Sequence, residues 1–553
     1  MHKNPTEYRS VLPPLVVADV DRQPWDEEAD VVVAGFGGAG VVASLQAREL
    51  GASVIAVDRF AGGGTTSLSG GVIYAGGTRY QRESGFDDTA DEMYKYLEAE
   101  GTPLQSATLR RFCDSSAADM DWLESQGVRY GANAFVEKTN FPPDGHWIYY
   151  TGNEKSPVYT AHSKPAPRGH RVAVPGFGGK SYMETLRATA LSRGVQLHPH
   201  SPVTRLVTDA TGAVLGVEIN ALPQSCWQER NAHWGKIDPW RPFNATRAER
   251  AIAAVRQIEQ GNSARRLIRA RRGVILSAGG FIFNLSMLGE HQPLLANNFE
   301  TLARLGSMGD DGSGIGLGES VGGTTGMMDY VWVARTIAPP NIFPEGLMVN
   351  AEGRRFVSEA AYSSVLGQKI TEQPEQGRAW LILGARQFWT ALHQALFPGK
   401  GLFLLWGAPA LLNIVMGGTK HARTLRALAR SCKVDSSGLE QTVTAYNAMV
   451  AAKSADPFGK IQDLMVKLED RSYFAVNVSL SNKFAPTPAL TMGGLVVDED
   501  SGAVQRADGS VVKGLYAAGR TAVGVCSKSY MSGLAIADTV FSGRRAARAI
   551  VSG

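Results

Sequence analysis

The sequence predicts an α/β protein in which a domain built on parallel strands is divided by a large inserted block. Residues 29–34 (ADVVVA) and 53–58 (SVIAVD) are short apolar runs typical of buried parallel strands. Between them lie a glycine-rich turn at 35–40 (GFGGAG) and a run at 41–51 whose apolar residues have helical spacing. Strand-and-glycine sequence of the same kind returns at 491–504, near the end of the chain. We therefore expect strands from both ends of the sequence to lie in one sheet.

Further elements follow from the spacing of apolar residues. They are helices within 88–127 and at 181–194, antiparallel strands at 202–209 and 213–220, strand sequence at 272–281, and a closing helix through Ile550. The block at 286–465 has mixed character and its own turns, and it is long enough to fold as a domain. We therefore expect a first domain formed by 25–285 and 466–553, with 286–465 inserted into it.

Composition limits the class of protein. The chain has 553 residues, of which 44% are hydrophobic and 20% charged, which excludes a disordered protein. The four cysteines are scattered, and the ten histidines form no HxxxH or HExxH pattern, so neither a disulfide scaffold nor a metal site is expected. The first residues contain no apolar stretch of signal-peptide length. These features predict a cytoplasmic protein.

The net charge of +4 is unevenly distributed. Residues 226–272, which include most of a predicted insertion at about 222–270, hold eleven Lys or Arg against four Asp or Glu. Residues 419–433 hold five Lys or Arg and no acid, so the rest of the chain is acidic. The sequence contains two basic segments, and no nucleic-acid-binding motif accompanies either of them.

The glycine turn fits GxGxxG. Gly35 would make the tight turn, Gly37 would let the backbone approach a pyrophosphate, and Gly40 would allow close packing of helix and strand. Asp58 follows Gly40 at close to the spacing, ~20 residues, that is expected of a ribose-hydroxyl acceptor. A chance turn is the alternative in a chain with 62 glycines, but the strand–turn–helix–strand context argues against it. The motif predicts a bound dinucleotide.

Four motifs in order resemble those of the flavoprotein family of fumarate reductases and 3-ketosteroid dehydrogenases. They are GFGGAG at 35–40, VILSAGGF at 274–281, TMGGL at 491–495 and GLYAAG at 514–519. Ser277 is a small departure from the family's VILAxGGF. The resemblance covers nearly the whole chain. It implies a Rossmann-like FAD-binding domain, split by an inserted α+β substrate-capping domain.

The cofactor that the resemblance implies is FAD. It would be held by residues of the glycine motifs, of the Gly- and Ser/Thr-rich stretch that follows Asp58, and of the C-terminal strip. These residues are Gly35, Gly37, Gly38, Ala39, Gly40, Asp58, Arg59, Gly64, Thr65, Thr66, Ser69, Gly70, Gly71, Ala278, Gly279, Gly280, Gly519, Arg520, Leu534 and Ala535.

The strip at 529–535 (SYMSGLA) distinguishes the chemistries within the family. Fumarate reductases resemble one another there in a His-Gly-x-x-Arg-Leu-Gly-Gly stretch, because a dicarboxylate needs cationic partners. This chain has no His or Arg in the strip, and its phenol and hydroxyl donors suit a ketone oxygen that becomes an enolate. The Tyr-x-Ser-Gly pattern resembles the Δ4-(5α) branch of the ketosteroid dehydrogenases, whereas the Δ1 branch shows Tyr-Pro-Gly-Pro-Gly.

The resemblance therefore implies an FAD-dependent 3-ketosteroid dehydrogenase that desaturates ring A at C4–C5, using an unidentified electron acceptor. Tyr530 would abstract the proton or polarise the ketone, Ser532 would tune it, and the Gly533 amide would be an oxyanion donor. Tyr362 follows a Val-Asn-x-x-Gly-x-Arg-Phe-x-x-Glu stretch at 349–359 that the family shares, and it would complete a short relay.

Other interpretations stay open from the sequence. Tyr530 could be a packed aromatic, and Ser532 could be a helix N-cap. The enzyme could be a Δ1-dehydrogenase or a fumarate-reductase-like enoate reductase. Outside the enzymes, a membrane-associated sterol-binding flavoprotein would show the same cofactor motifs.

Tryptophans accompany both basic segments. Trp227, Trp234 and Trp240 lie in the first, while Trp406 lies in an apolar run at 402–416 that directly precedes the second. The run is shorter than the ~20 residues that a membrane span needs. A buried helix is the alternative. Trp with clustered cations favours the headgroup region of an anionic bilayer, so we expect peripheral contact with the inner face of the membrane through 226–272 and 402–433. Deletion of 226–264 is expected to reduce this contact and to leave FAD in place.

Overall fold

The structure is a computed structural model, and it describes residues 11–137, 139–237, 245–398, 403, 407–469, 471–528 and 530–553. Trp240, Trp406 and Ser529, which the sequence analysis singled out, lie outside these residues. The same holds for 402 and 404–405 of the apolar run.

The strands of the described residues are numbered in chain order. The first eleven are β1 Leu15–Val16, β2 Glu27–Ala34, β3 Val54–Val57, β4 Val72–Tyr74, β5 Ala134–Phe135, β6 Ile148–Tyr149, β7 Gly169–Arg171, β8 Gln196–His198, β9 Val203–Thr208, β10 Val214–Ala221 and β11 Ala264–Leu276. The others are β12 Leu302–Arg304, β13 Thr325–Gly326, β14 Val331–Val333, β15 Leu347–Asn350, β16 Ala379–Gly384, β17 Lys420–Ala422, β18 Tyr473–Asn477, β19 Thr487–Thr491, β20 Gly494–Leu495, β21 Ala503–Gln505 and β22 Val511–Ala517.

The helices follow the same convention. The first nine are α1 Gly38–Glu49, α2 Arg79–Glu83, α3 Ala90–Glu100, α4 Ser106–Ser125, α5 Pro157–Thr160, α6 Gly179–Ser192, α7 Trp227–Trp234, α8 Ala245–Asn262 and α9 Leu285–His291. The others are α10 Pro293–Asn297, α11 Ser313–Ser320, α12 Ser363–Thr371, α13 Pro374–Gly377, α14 Ala385–Leu396, α15 Ala408–Met416, α16 Leu425–Cys432, α17 Ser436–Ala452 and α18 Leu534–Ser552.

The chain divides into two compact units. The first is formed by the described residues within 1–293, 305–331 and 490–553, and the second by those within 294–304 and 332–489. Residues 466–489, predicted to rejoin the first domain, lie in the second unit because β18 pairs with β16 and β17 in its sheet. Residues 305–331, predicted to lie in the inserted domain, lie in the first unit, where β13 pairs with β20.

The main sheet of the first unit has the order β1-β9-β10-β11-β2-β3-β8, with β22 beside β11 and β21 beside β22. Strands β11, β2, β3, β8 and β22 form its parallel part, and β2 is buried along its inner length because helices and sheet enclose it. The predicted antiparallel strands are β9 and β10. Strands β10 and β11, which flank the insertion, pair directly with each other, and Ala221 lies opposite Ala264.

A smaller sheet of the first unit has the order β4-β7-β6-β5. It carries Tyr149 on β6 and brings β4 close to residue 533, since the Tyr74 N–H donates to the Gly533 oxygen. Near this sheet, Arg168 and Asp88 form an ion pair whose side chains are fully buried.

The second unit is built around the sheet β15-β16-β18-β17. One face packs on α16 and α17 through residues such as Ile382, Ala475 and Tyr446. A three-stranded sheet, β12-β19-β14, is also present. None of the helices in the described part of the chain is both long enough and apolar enough to cross a membrane.

His170 of β7 should make stability depend on pH. Its Nδ1–H donates to the Arg168 oxygen at 2.9 Å and its Nε2 lies 2.8 Å from Thr78 Oγ1, so the buried imidazole is hydrogen-bonded at both nitrogens. Burial lowers its pKa from 6.5 to about 4. A lowered folded pKa gives stability that is present above pH 6.5 and is lost as pH falls toward 4.

Because of the protonation linked to His170, we expect the free energy of unfolding of the wild-type protein to fall by about 2 kcal/mol from pH 7 to pH 5. Urea unfolding of His170→Gln and wild type at both pH values measures this. The variant should be less stable at pH 7, with a pH dependence reduced by that amount. An unchanged pH dependence would show that this imidazole does not titrate in this way.

Candidate active site

The glycine turn after β2 has the geometry of a phosphate-binding loop. A Cβ on Gly40 would lie 1.9 Å from the Gly35 oxygen, so protein packing alone requires glycine there. Gly37 differs, because a Cβ would come no closer than 3.7 Å to any described neighbour, and its φ of −86° suits any residue. Protein packing alone therefore does not require glycine at position 37, whereas close approach of a pyrophosphate to the backbone would require it.

Helix α1 begins at Gly38, directly after this turn, and its first turn carries no acidic residue. Free N–H groups and the helix dipole at such a terminus attract an anion. Close packing fixes the helix, since a Cβ on Gly543 of α18 would lie 2.7 Å from the Ala39 oxygen. Leu534 and Ala535 begin α18, and Gly519 also approaches Ala39.

Asp58 follows β3 and is buried. Its Oδ2 accepts from the Phe36 N–H and its Oδ1 from the Phe60 N–H, both at 2.7 Å. Burial raises its pKa, while these backbone hydrogen bonds act in the opposite direction. Asp58 therefore shapes the glycine turn itself, and a carboxylate oxygen still has a lone pair for the predicted ribose hydroxyl.

Asp310 connects three of the predicted cofactor residues. It accepts from the Gly280 N–H at 2.9 Å and from Arg520 Nη2 at 2.7 Å, and it also bonds the Thr65 hydroxyl. Arg520 Nη1 is buried and has no hydrogen-bond partner among the described residues. A buried guanidinium nitrogen without a protein partner fits a site for an anionic or carbonyl-bearing ligand.

The other predicted cofactor residues have visible packing roles. Gly178 and Gly179, at the start of α6, donate their N–H groups to the oxygens of Gly70 and Ser69. The remaining contacts are an Arg59–Asp311 ion pair, Gly279 N–H to Thr521 Oγ1, Gly64 beside Gly37, Thr66 beside Gly38, Gly71 beside Gly178, and Ala278 beside Gly35 and Gly314.

Ser532 does not cap a helix. The N-cap of α18 is Gly533, in left-handed conformation with φ of +97°, and no side-chain capping bond is present. The Ser532 hydroxyl lies 3.3 Å from the hydroxyl of Tyr149, which is fully buried. Burial raises the pKa of Tyr149 to about 12, and the bond to Ser532 partly offsets this. The two side chains form a neutral hydroxyl pair.

Tyr530 lies two residues away, and burial is the main cause that raises the pKa of its phenol well above the ordinary value. It is therefore a neutral hydrogen-bond donor at physiological pH and a poor base. The oxygen of Gly533 accepts from Tyr74, and a Cβ on Gly533 would lie 2.9 Å from the Tyr74 nitrogen.

Tyr362 belongs to the second unit, where it is 7% exposed and directly precedes α12. The family stretch before it is structural. Arg355 bonds Glu359 at 2.7 Å and also Asp456, and Lys460 bonds Glu359 at 2.9 Å. This buried network holds the segment that ends at Tyr362.

Comparison with known proteins shows the family. The FAD binding domain family matches residues 30–533. The chain belongs to this family of flavoproteins. FAD is its cofactor, which confirms the prediction, and the α/β fold with an FAD-binding domain is confirmed as well. The flavoprotein is an oxidoreductase, as the resemblance implied.

The relatives are similar over most of their length. The 3-oxo-5-alpha-steroid 4-dehydrogenase of Comamonas testosteroni is 35% identical over 91% of this chain and 95% of its own. A probable fumarate reductase of Shewanella frigidimarina is 25% identical over 94% of this chain and 74% of its own length. A solved structure is that of the 3-ketosteroid-Δ4-(5α)-dehydrogenase of Rhodococcus jostii in complex with 4-androstene-3,17-dione. It matches with a TM-score of 0.78 and 29% identity, and the match covers 98% of this chain and 100% of that chain.

Two residues of this site were missed by sequence reasoning. Tyr149 is 383 positions from Ser532, and Asp310 is 210 positions from Arg520. Tyr149 lies in an aromatic stretch without a motif, and its role arises only when distant segments fold together. Asp310 lies in a loop at 306–312 (GSMGDDG) that is rich in Gly and Asp, and this composition is a signal that could have identified it.

Proposed function

We propose that this flavoprotein desaturates ring A of 3-ketosteroids between C4 and C5. The observation that carries the proposal is the donor set of the C-terminal strip, which is Tyr530, Ser532 and the partner Tyr149, with no cationic side chain in 529–535. Such donors suit a neutral ketone rather than a dicarboxylate. The similarity to 4-dehydrogenases that act on 3-oxo-5α-steroids supports the same substrate class.

In the proposed reaction the bond between C4 and C5 becomes a double bond, as C4 loses a proton and C5 a hydride. FAD, held by the glycine turn at 35–40 and by Arg520, would supply the two-electron acceptor for this hydride. Tyr530 donates a hydrogen bond to the C3 oxygen, which gains negative charge as the C4 proton leaves. Its raised pKa keeps this donor protonated across the physiological range.

The C4 proton needs a path away from the ring, and the hydroxyl pair supplies one. The C4 proton passes to the Ser532 oxygen as the Ser532 hydroxyl proton passes to Tyr149, whose oxygen is 3.3 Å away, and the Tyr149 proton passes to a water molecule, which is the final acceptor. The role of Tyr362, which lies in the second unit, stays a prediction from the sequence. An electron acceptor outside this protein reoxidises the flavin.

Anaerobic mixing with a 5α-3-ketosteroid tests the proposal. The yellow absorbance of the oxidised flavin should bleach in the presence of the steroid, and fumarate should not reoxidise the reduced enzyme. Bleaching that a 3-keto-4-ene reverses would support the steroid reaction. Binding without bleaching would instead show a sterol-binding protein, and rapid reoxidation by fumarate would show an enoate reductase.

The Tyr149–Ser532 pair has its own test. Tyr149→Phe removes one hydrogen bond worth about 1.4 kcal/mol, so flavin reduction by the steroid should slow roughly tenfold. FAD content should be unchanged. Tyr182→Phe is the matched control, because Tyr182 is also buried in the first unit and its hydroxyl has no hydrogen-bond partner among the described residues. Equal rates for the two variants would remove Tyr149 from the relay.

A further inference from the structure

The hairpin of α14 and α15 in the second unit carries an exposed apolar surface. Phe397 is 70% exposed and Val415 75%. We call this surface the apolar patch, and its members are Trp389, Leu396, Phe397, Phe403, Val415 and Met416. Six large apolar side chains exposed in the single short segment 389–416 exceed the scattered exposure that is normal for a soluble surface.

The patch does not result from a helix that has failed to pack. The opposite side of α14 is firmly seated, since Phe388 stacks on Phe474 of β18 with ring centroids 3.9 Å apart, and Ala391 and Ala395 are buried. Asn413 of α15 donates to the Asn477 oxygen. The hairpin therefore holds the patch outward on a fixed support.

The charge within the chain segment that carries the patch has one sign. Residues 385–433 contain seven Lys or Arg and no Asp or Glu. Arg423, Arg430 and Lys433 are exposed and follow Met416 closely in the sequence. Acidic partners come from outside this segment, as in the Arg426–Glu440 pair. An apolar surface bordered by cations is complementary to the interface of an anionic bilayer.

The first basic segment, 226–272, lacks this character. Many of its described arginines pair with acids of the same unit, in Arg230–Glu259, Arg265–Glu218, Arg266–Glu27, Arg269–Asp21 and Arg271–Asp30. Trp227 donates to the Leu222 oxygen, and Trp234 packs on Phe60 with centroids 4.3 Å apart. The structure thus uses these residues within the fold, which argues against membrane contact through 226–272.

We propose that the apolar patch docks the flavoprotein on the surface of an anionic lipid bilayer. The hairpin lies in the interface, with the patch among the upper segments of the acyl chains and the cations of 420–433 at the phosphates. Helices α14 and α15 have 12 and 9 residues, which is too short to cross the hydrocarbon core. Only one face of one unit takes part.

Sedimentation with vesicles tests this. The FAD-loaded protein should sediment with vesicles of equal parts phosphatidylcholine and phosphatidylserine, and much less with pure phosphatidylcholine. High salt should release part of the bound protein, because screening weakens the cationic contacts but not the apolar insertion. Protein that stays in the supernatant with the anionic vesicles at low salt would overturn the proposal.

Point variants locate the surface. Phe397→Ser with Val415→Ser should lower the vesicle partition coefficient at least about tenfold, because two exposed apolar side chains no longer insert. Arg423→Glu should lower it roughly fivefold or more, since one cation near the surface contributes ~1 kcal/mol. The matched control is Val158→Ser with Val16→Ser, two valines of the first unit that are 66% and 61% exposed.

Each variant must keep its flavin absorbance and its unfolding temperature, which shows that folding is intact. Equal vesicle binding by the patch variant and the control would contradict the proposal. So would concentration-dependent dimerisation of the wild type that the patch variant loses, because the patch would then cover a second copy of the chain. Loss of vesicle binding in the patch variant alone supports the bilayer.

Discussion

Tyr530→Phe should leave a yellow, folded enzyme whose flavin is reduced by a 5α-3-ketosteroid at least ~100-fold more slowly, the scale typical of a lost oxyanion donor. The phenol is the donor of the strip assigned to stabilise charge on the ketone oxygen, and its raised pKa indicates that it acts in the protonated form. Phenylalanine keeps the ring and removes that donor. Stopped-flow measurement of flavin bleaching gives the rate.

The pH dependence of the same rate distinguishes donor from base. A donor with a raised pKa stays protonated as pH rises from 7 to 9, so Tyr530 should impose no increase in rate over that range. A base would give a rising rate as the phenol ionises. Near-normal reduction by Tyr530→Phe would return this tyrosine to a packing role.

Gly37→Val should yield protein with little or no bound FAD while the fold persists. The structure leaves room for a Cβ at this position, with 3.7 Å to the nearest described neighbour, so protein packing alone does not require glycine here. The valine would instead occupy the space through which the pyrophosphate approaches the backbone. The ratio of flavin to protein absorbance after purification measures the loss.

Two other glycines provide comparison variants for this prediction. Gly289→Val lies in α9 in open space and should retain FAD. Gly40→Ala should damage folding as well as FAD binding, because its Cβ would meet the Gly35 oxygen at 1.9 Å. Purified Gly37→Val with a full complement of flavin would refute the assignment of this loop.

The FAD-binding half of the fold was predictable because its signals are local. Strand β2, the glycine turn, α1 and β3 succeed one another between Glu27 and Val57, and apolar spacing defines each element. The strip around Tyr530 and Ser532 was identified by its position after the last glycine motif. The partner Tyr149 was not, since β6 and the strip before α18 are brought together only by the tertiary fold.

Charge counting along the chain does not show how the charges of 226–272 are paired, for a similar reason. The arginines of β11 form a cluster in sequence, but β2 lies beside β11 in parallel register, with Ile268 opposite Glu27. This pairing places the acids of β2 next to the arginines. A basic stretch in a strand can thus be neutral in the folded sheet. By contrast, β17 of the second basic segment pairs with β18, whose residues Tyr473–Asn477 carry no charge.

The insertion also has a function that the sequence did not show. Arg230 of α7 is buried, with its guanidinium 4.9 Å from the centre of Phe60 and a hydrogen bond to the Arg59 oxygen. It thereby supports the segment after Asp58, which shapes the glycine turn. Deletion of 226–264, which the sequence alone predicts to leave FAD in place, is therefore expected to weaken FAD binding.

A single anaerobic turnover with product analysis tests the central claim most directly. One equivalent of the 5α-saturated analogue of 4-androstene-3,17-dione is mixed with the oxidised enzyme, and the steroid is identified by mass spectrometry and NMR. The account predicts one 4-ene-3-ketone formed for each flavin bleached. A 1-ene product, or bound steroid recovered unchanged beside oxidised flavin, would contradict it.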